Sequence, residues 1–363
     1  MATAKKRPTA TQRDIARLAR VSQSTVSRVL TGDVGVDAET AHRVRTAIDE
    51  ANYRPDNAAR SLRNRKSGLI GLVVKRPAGG LNEDPFFASL TAEIIDALSD
   101  TPYSLCLEQT TESAQGAVYD DLLRTRRVDG LILVESEARD SRIARLQADH
   151  FPFVLIGNPA MIGESNSAAE GVWSVDNDNV EAADVAVRHL IDEGYRRIGF
   201  LAGPEGMTVG QDRAVGFRRA LARYGLAGSV RHCDFGLEHA REAAHIWLRE
   251  PNRPEALLAL DDFLGLGVVL AARQLGLAIP ADVALVSFND GAFCKVLECG
   301  LTSVNLNIPA IVRESCTRLL ELIDGDIDVA APHRTIVPST LTIRGSSRGA
   351  RALKASHPEA LAL

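Results

Sequence analysis

Two sets of side chains in this chain of 363 residues have the types and spacing to do chemistry. The first is crowded into residues 11–66. Gln23, Ser24 and Arg28 stand on one short helical stretch, with Thr25 and Ser27 between them. A glutamine amide can pair with the N6/N7 edge of adenine, and a guanidinium with O6/N7 of guanine. Hydroxyls such as those of Thr25 and Ser27 suit backbone phosphates. The second set is scattered, yet it falls at one kind of place: just after apolar runs that read as strands. It comprises Lys75, Gln109, Glu135 and Asn158 in the earlier part of the body, then Asp234, Phe235, Asp261, Asp262, Asn289 and Asp290. In open parallel sheets ligands sit outside the carboxyl ends of the strands. Each of these residues alone is better explained as a solvated loop end than as a ligand contact; their common location carries the weight.

The elements that would position the first set are short helices. Ile15, Ala16, Leu18 and Ala19 repeat at helical spacing, as do Val26, Val29 and Leu30, with Val21 in the break between them. Ser22 is placed to cap the second helix. Residues 38–51 form a third amphipathic helix with Val44, Ala47 and Ile48 inward. Two helices and a turn within about twenty residues predict a helix-turn-helix, whose second helix enters the major groove. Charge agrees. Residues 1–66 carry 14 Lys and Arg against 7 Asp and Glu, a net of +7, whereas the remainder carries 28 against 40, a net of −12. A basic head on an acidic body suits phosphate contact by the head alone.

The chain at this point resembles the LacI/GalR family of bacterial transcriptional repressors. The residues that carry the resemblance are Asp14-Ile15-Ala16, Val21-Ser22, Thr25-Val26-Ser27-Arg28-Val29-Leu30, Asn52-Tyr53-x-Pro55, Ala59 and Leu62. The resemblance implies that residues 56–66 are a hinge helix pairing with its dimer mate. Leu62 then matches a leucine wedged into the minor groove, and Ala59 a neighbouring groove contact. An apolar wedge unstacks a base step and kinks the duplex. A core contact is the plainer account of Leu62.

From Ser67 apolar strands alternate with amphipathic helices, the pattern of parallel sheet covered on both faces. Strands are expected at 69–74, 103–107, 130–134, 153–156, 172–175, 198–201, 230–235, 256–260, 283–287 and 302–306, with a last one at 334–343. Helices are expected at 86–98, 117–126, 179–193, 213–224, 238–249, 263–275 and 308–323. The alternation begins afresh midway, so two α/β lobes are expected, which looks like the periplasmic-binding-protein type I fold with Rossmann-like parallel sheets. The expected organisation is a basic N-terminus (1–10), an all-α helix-turn-helix domain (11–55), the hinge (56–66), an effector and dimerisation domain (67–345) and a tail (346–363). Within the body, 67–174 with 302–324 would form the first lobe, and 175–300 with 330–345 the second.

The resemblance also sharpens the second set. Arg213 lies in Arg213-x-x-Gly216-Phe217, where the family keeps an arginine that grips the effector; the plainer account is a surface ion pair at a helix start. Asp261 stands where the family often has asparagine, and Asn289 where it often has an aspartate that holds sugar hydroxyls. This looks like an acid and an amide exchanged across the pocket, and it puts the effector in doubt rather than the fold. Phe235 aligns with an aromatic that stacks on the ligand, with Phe87 opposite. The expected effector contacts are therefore Lys75, Phe87, Gln109, Asn158, Arg213, Phe235, Asp261 and Asn289. Lys75 facing Arg213 would favour an anionic effector such as a sugar phosphate or sugar acid; a lysine pointing to solvent is an equal reading.

Other classes find little support. There is no P-loop and no Gly-x-Ser-x-Gly elbow. His232, Cys233, His239 and His245 lack a zinc spacing, Cys294 and Cys299 are not a metal pair, and no cofactor is expected. Five scattered cysteines suit reduced thiols in a cytosol. No apolar run reaches membrane length, and no apolar segment follows Met1-Ala-Thr-Ala-Lys-Lys-Arg7 as a secretory signal would. The expectation is a cytoplasmic, dimeric repressor that binds a palindromic operator and answers to a small-molecule effector, a sugar or sugar derivative. The alternatives are a transport-type ligand-binding protein, an enzyme on the same scaffold, and a constitutive DNA-binding protein with a vestigial cleft.

Overall fold

A computed structural model describes residues 10–30, 33, 35–51, 53, 66–75, 84–138, 140–159, 171–327 and 333–349. The expected hinge, Ala59 and Leu62 included, lies outside these residues save for Lys66. The chain divides into two compact units that meet at Ser67–Gly68.

The first unit holds α1 (Gln12–Leu18), α2 (Gln23–Leu30) and α3 (Ala38–Glu50). Thr11 and Asp14 satisfy each other's backbone amides in a capping box at the start of α1. Ser22 caps α2 through Thr25 N, at 3.1 Å, and Asp37 caps α3 through Thr40 N, at 2.9 Å. Arg20 takes a left-handed φ of 53° in the turn between α1 and α2. Ile15, Val26 and Val44, one from each helix, are fully buried at the centre. With Ala16, Ala19, Val29 and Ala47 they form a small core in which short side chains let the helices approach closely.

The second unit carries two six-stranded sheets. The first is ordered β11-β5-β4-β3-β1-β2, from Arg334–Ile336, Ser174–Asp176, Phe153–Ile156, Gly130–Leu133, Leu69–Lys75 and Ser104–Thr110, all parallel. The second is ordered β12-β10-β9-β8-β6-β7, from Thr340–Thr342, Thr302–Asn305, Ala284–Phe288, Ala256–Ala259, Ile198–Ala202 and Ser229–His232. Its strands are parallel except β12, which runs antiparallel to β10. Along β1, Ile70, Leu72 and Val74 enter one apolar cluster and Val73 the other, so both faces of the strand are buried.

Helices cover both sheets: α4 (Pro85–Leu98), α5 (Gln115–Thr125), α6 (Ser141–Ala148), α7 (Asn179–Asp192), α8 (Thr208–Arg223), α9 (Leu237–Leu248), α10 (Asp262–Gln274) and α11 (Ile308–Asp324). On α4, Phe87, Leu90, Ile94 and Leu98 form the buried stripe. Burying each such side chain contributes about 1.5–3 kcal/mol.

Three expectations are corrected. Residues 302–324 do not stay in the first lobe: β10 belongs to the second sheet, and only α11 packs on the first, against α4, β3, β4 and β5. The expected strand at 334–343 is two strands in different sheets, broken at Pro338, which has no N–H to donate to a ladder. The tail does not begin at 346. Ser346 and Ser347 are fully buried, Ser346 Oγ donates to Leu285 O at 2.6 Å, and Thr302 N donates to Ser346 Oγ at 2.8 Å. The sequence reading also lacked α6, whose eight residues are too few for a clear period.

Candidate functional site

In the first unit the outward face of α2 presents Gln23, Ser24 and Arg28, all exposed. The amide of Gln23 bonds Gln12 on α1 at 3.2 Å, and the Ser22 hydroxyl lies 2.7 Å from that of Ser24 and 2.8 Å from that of Thr25. Arg28 is folded back onto Asp33, Nε to Oδ2 at 2.8 Å. That partner holds the Asp33 carboxyl below the usual carboxylate range. Ser27 is buried in the unit, on the side of α2 that carries Val26.

In the second unit the carboxyl ends of the two sheets enclose a cleft with about 840 Å³ of empty space, counting its open mouth. Asp84, Phe86, Glu135, Ser136 and Asn158 line it from the first lobe, and Asn179, Arg213, Phe235, Asp261 and Asn289 from the second. Ile156, Met207, Leu260 and Ile308 supply apolar wall.

Arg213, on α8, is the cation at the centre. It is 3% exposed, its Nε donates to Asn179 Oδ1 at 3.0 Å, its Nη1 donates to Leu260 O, and it lies 3.9 Å over the Phe288 ring. Desolvation pulls the guanidinium down to about 10, against the pull of Asp176, Asp261 and Asp212, so it stays charged at neutral pH. Asn179 spends its amide on both oxygens of Asp176, at 3.0 and 3.1 Å. Burial pushes Asp176 up to about 6, with Asn177 N and Arg213 opposing. Asp261 caps α10 through Leu264 N at 2.7 Å, and burial pushes it up to about 7. Around one cation, then, stand Asp84, Glu135, Asp176 and Asp261. Among the described residues, the cleft lining is rich in acceptors and poor in positive charge.

The lobes also touch each other directly beside the cleft. Asn158 Nδ2, after β4, donates to Asp212 Oδ2 on α8 at 2.8 Å, and burial raises the Asp212 carboxyl. The Ser136 and Thr208 hydroxyls meet at 2.7 Å, and Glu137 forms an antiparallel bridge with Met207. Behind the cleft the chain crosses between lobes three times, at 177–178, 306–307 and 337–339. Asn177 joins all three, because its amide donates to Leu306 O at 3.0 Å and to Val337 O at 2.7 Å.

Comparison with known proteins accounts for both units. Residues 11–56 match the model of bacterial regulatory proteins, lacI family, and residues 187–347 that of the periplasmic binding protein-like domain. The chain is 31% identical over 335 residues to the HTH-type transcriptional regulator CelR of Thermobifida fusca, covering 92% of this chain and 96% of that one. It is 34% identical over 354 residues to the regulator MalR of Streptomyces coelicolor, covering 93% and 96%. The chain belongs to the LacI family. It is a DNA-binding transcriptional regulator. Among solved structures, a complex of the regulator CelR with cellobiose superposes with a TM-score of 0.70 at 29% identity, covering 93% of this chain and 99% of that one. The lac repressor dimer bound to operator and an anti-inducer shares the fold, with a TM-score of 0.80 at 24% identity and the same coverage.

The cleft of this LacI-family chain brings together Asn158, Arg213, Phe235, Asp261 and Asn289 of the expected effector contacts. Three others are corrected. Phe87 is fully buried on the core stripe of α4, and its neighbour Phe86, about 100° further round the helix, lines the cleft instead. Gln109 is the last residue but one of β2, an edge strand of its sheet, and does not line the cleft. Lys75 is also outside the lining: its Nζ lies 2.5 Å from Glu137 Oε1, supporting the segment that bridges to Met207. Of the further strand-end acids, Asp262 accepts from Ser287 Oγ, Ser303 Oγ and Gly291 N, and Asp290 pairs with Arg344, so both hold loops together. Asp84, Ser136, Asp176 and Asn179 were missed. Asp176 directly follows a predicted strand, so the rule that found Asp261 could have found it.

Proposed function

We propose that this regulator represses transcription in the cytoplasm as a homodimer on a palindromic operator, and that a neutral, polyhydroxylated sugar in the cleft governs that binding. Gln23, Ser24 and Arg28 read base edges, with Thr25 on the backbone; buried Ser27 is better suited to helix packing. Arg28 has to exchange Asp33 for a guanine. Asn158, Arg213, Phe235, Asp261 and Asn289, joined by Asp84 and Phe86, hold the effector.

One observation carries the effector class: among the described residues that line the cleft, one guanidinium, that of Arg213, stands among an excess of carboxylates and amides beside apolar wall. Carboxylates accept hydrogen bonds from sugar hydroxyls, and apolar wall suits the C–H faces of the ring. A phosphate or carboxylate on the ligand would meet Asp84, Glu135 and Asp261. With Lys75 engaged at Glu137, the charge argument for an anionic effector loses its second cation. The relatives named as CelR in complex with cellobiose and as the ribose operon repressor of Escherichia coli support a sugar. A cleft with this much organised polar lining counts against a vestigial one.

A thermal-shift screen of neutral sugars, sugar phosphates and sugar acids tests the reading. A ligand at a hundredfold over its Kd adds about 2.7 kcal/mol to the state that binds it. A hit among neutral sugars that also changes operator affinity is expected. Hits confined to phosphates or acids would overturn the neutral class.

A further inference from the structure

The cleft does not end at its main chamber. A side chamber with about 410 Å³ of empty space, its mouth included, adjoins it. The two share Asp84, Phe86, Asp261, Asn289 and Ile308 as a waist. Beyond the waist the side chamber has walls of its own, from Ser89 on α4, Phe263 in the first turn of α10, and Phe293.

We propose that the side chamber is a second sugar subsite, so that the effector is a disaccharide or longer glycan spanning the waist. This rests on the sugar reading above. Three phenyl rings, Phe86, Phe263 and Phe293, and a single exposed hydroxyl, Ser89, offer apolar faces and one polar anchor, which suits the C–H face of a pyranose. Asp262 is on the chamber wall, but both its oxygens are committed to Ser287, Ser303 and Gly291, so it brings no carboxylate that seeks a ligand. The waist decides between occupants. Asp84 and Asp261 would repel an anionic extension. A purely apolar extension would strip water from two carboxylates and an amide without replacing its hydrogen bonds, which is costly. A second hydroxylated ring meets both the polar waist and the aromatic walls.

Titration calorimetry of the full chain with glucose, galactose and xylose, and with maltose, cellobiose, lactose and xylobiose, tests this. At least one disaccharide should bind at least about tenfold more tightly than its component monosaccharides. Ser89→Trp, which fills the chamber from an exposed helix position, and Phe263→Ala, which removes a wall outside the apolar core clusters, should each bring that ratio close to unity. Retained operator binding shows that the variants fold. Monosaccharides binding as tightly as every disaccharide would remove the second subsite and leave the sugar reading standing. An advantage for the disaccharide that survives both substitutions would also overturn the proposal. No binding by any of these sugars would sink it together with the sugar reading.

Discussion

Arg213→Met separates a structural cation from a merely exposed one. The substitution keeps much of the apolar stem over Phe288 and removes the guanidinium. Asn179 Oδ1 and Leu260 O lose their donors, and Asp176, Asp212 and Asp261 lose the charge that opposes their desolvation. Breaking a buried ionic constellation from one side costs about 3–5 kcal/mol. The pH dependence gives the sharper test. In the native chain the carboxyls of Asp176 and Asp261 are already raised, to about 6 and about 7, so each weakens the fold as pH rises from the unfolded value of 3.8 toward its folded one. Without Arg213 both are raised further, and the loss extends upward in pH. At pH 5.5 they take up protons in the folded state and part of the cost disappears. The deficit of the variant should therefore be about 3–5 kcal/mol at pH 8 and smaller by about 1–2 kcal/mol at pH 5.5, since one pKa unit is about 1.4 kcal/mol. Urea unfolding followed by tryptophan fluorescence reads this cleanly, because both tryptophans, Trp173 and Trp247, are in the second unit. Arg213→Lys should fall between the two, having charge without the fork. A deficit that is equal at the two pH values, or that grows on acidification, would refute the account of the carboxylates.

Arg28→Ala should relax operator choice at one base pair per half-site while leaving other positions unchanged; a uniform loss across operator variants in a binding titration would make Arg28 a phosphate contact instead. Asp261→Asn keeps a good helix cap, so it should stabilise the ligand-free protein by about 1 kcal/mol at pH 8, by less near pH 5, and hardly at all below pH 3.8, where the carboxyl is protonated in both the folded and the unfolded chain. A stabilisation independent of pH would contradict that cause. Asn177→Ala leaves Leu306 O and Val337 O without their amide donors and should cost about 1–3 kcal/mol in urea unfolding. It should also shrink the effector's influence on operator affinity, and unchanged stability would show that the three crossings hold without it.

The fold was legible because its signals are local and repeated. Buried parallel strands write themselves as Leu69-Ile-Gly-Leu-Val-Val74 or Ala256-Leu-Leu-Ala-Leu260, and α4 shows its buried stripe at Phe87, Leu90, Ile94 and Leu98. The lobe assignment of residues 302–345 was not, because a crossing between sheets leaves no periodic trace: β10 and β11 look alike in sequence and join different sheets. The site divides the same way. The strand-end rule found Asn158, Asp261 and Asn289, since position after a strand is local information. It could not tell that Gln109 belongs to an edge strand, because strand order is set by tertiary pairing. Nor could it know that Lys75 would meet Glu137, some sixty residues on. The Phe86 and Phe87 pair is a case where the pattern held the answer. A residue on the core stripe cannot also face the cleft, so the aromatic beside it was the better candidate.

The arrangement of contacts limits how a ligand can act on the head. A ligand shifts a conformational equilibrium only through contacts that differ between the two states. Here the walls of the cleft come from both lobes, and beside them Asn158–Asp212 and Ser136–Thr208 tie the lobes together. A sugar that bonds both walls adds to those ties and favours the closed arrangement. One that takes Asn158 or Asp212 for its own hydroxyls replaces a tie and favours an open one. The sign of regulation therefore rests on whether the ligand competes for that amide and carboxylate. Asn177 ties the three crossings to one another, and the one at 306–307 leads into α11, which packs on α4 and the first sheet, the lobe into which the chain runs on from Ser67.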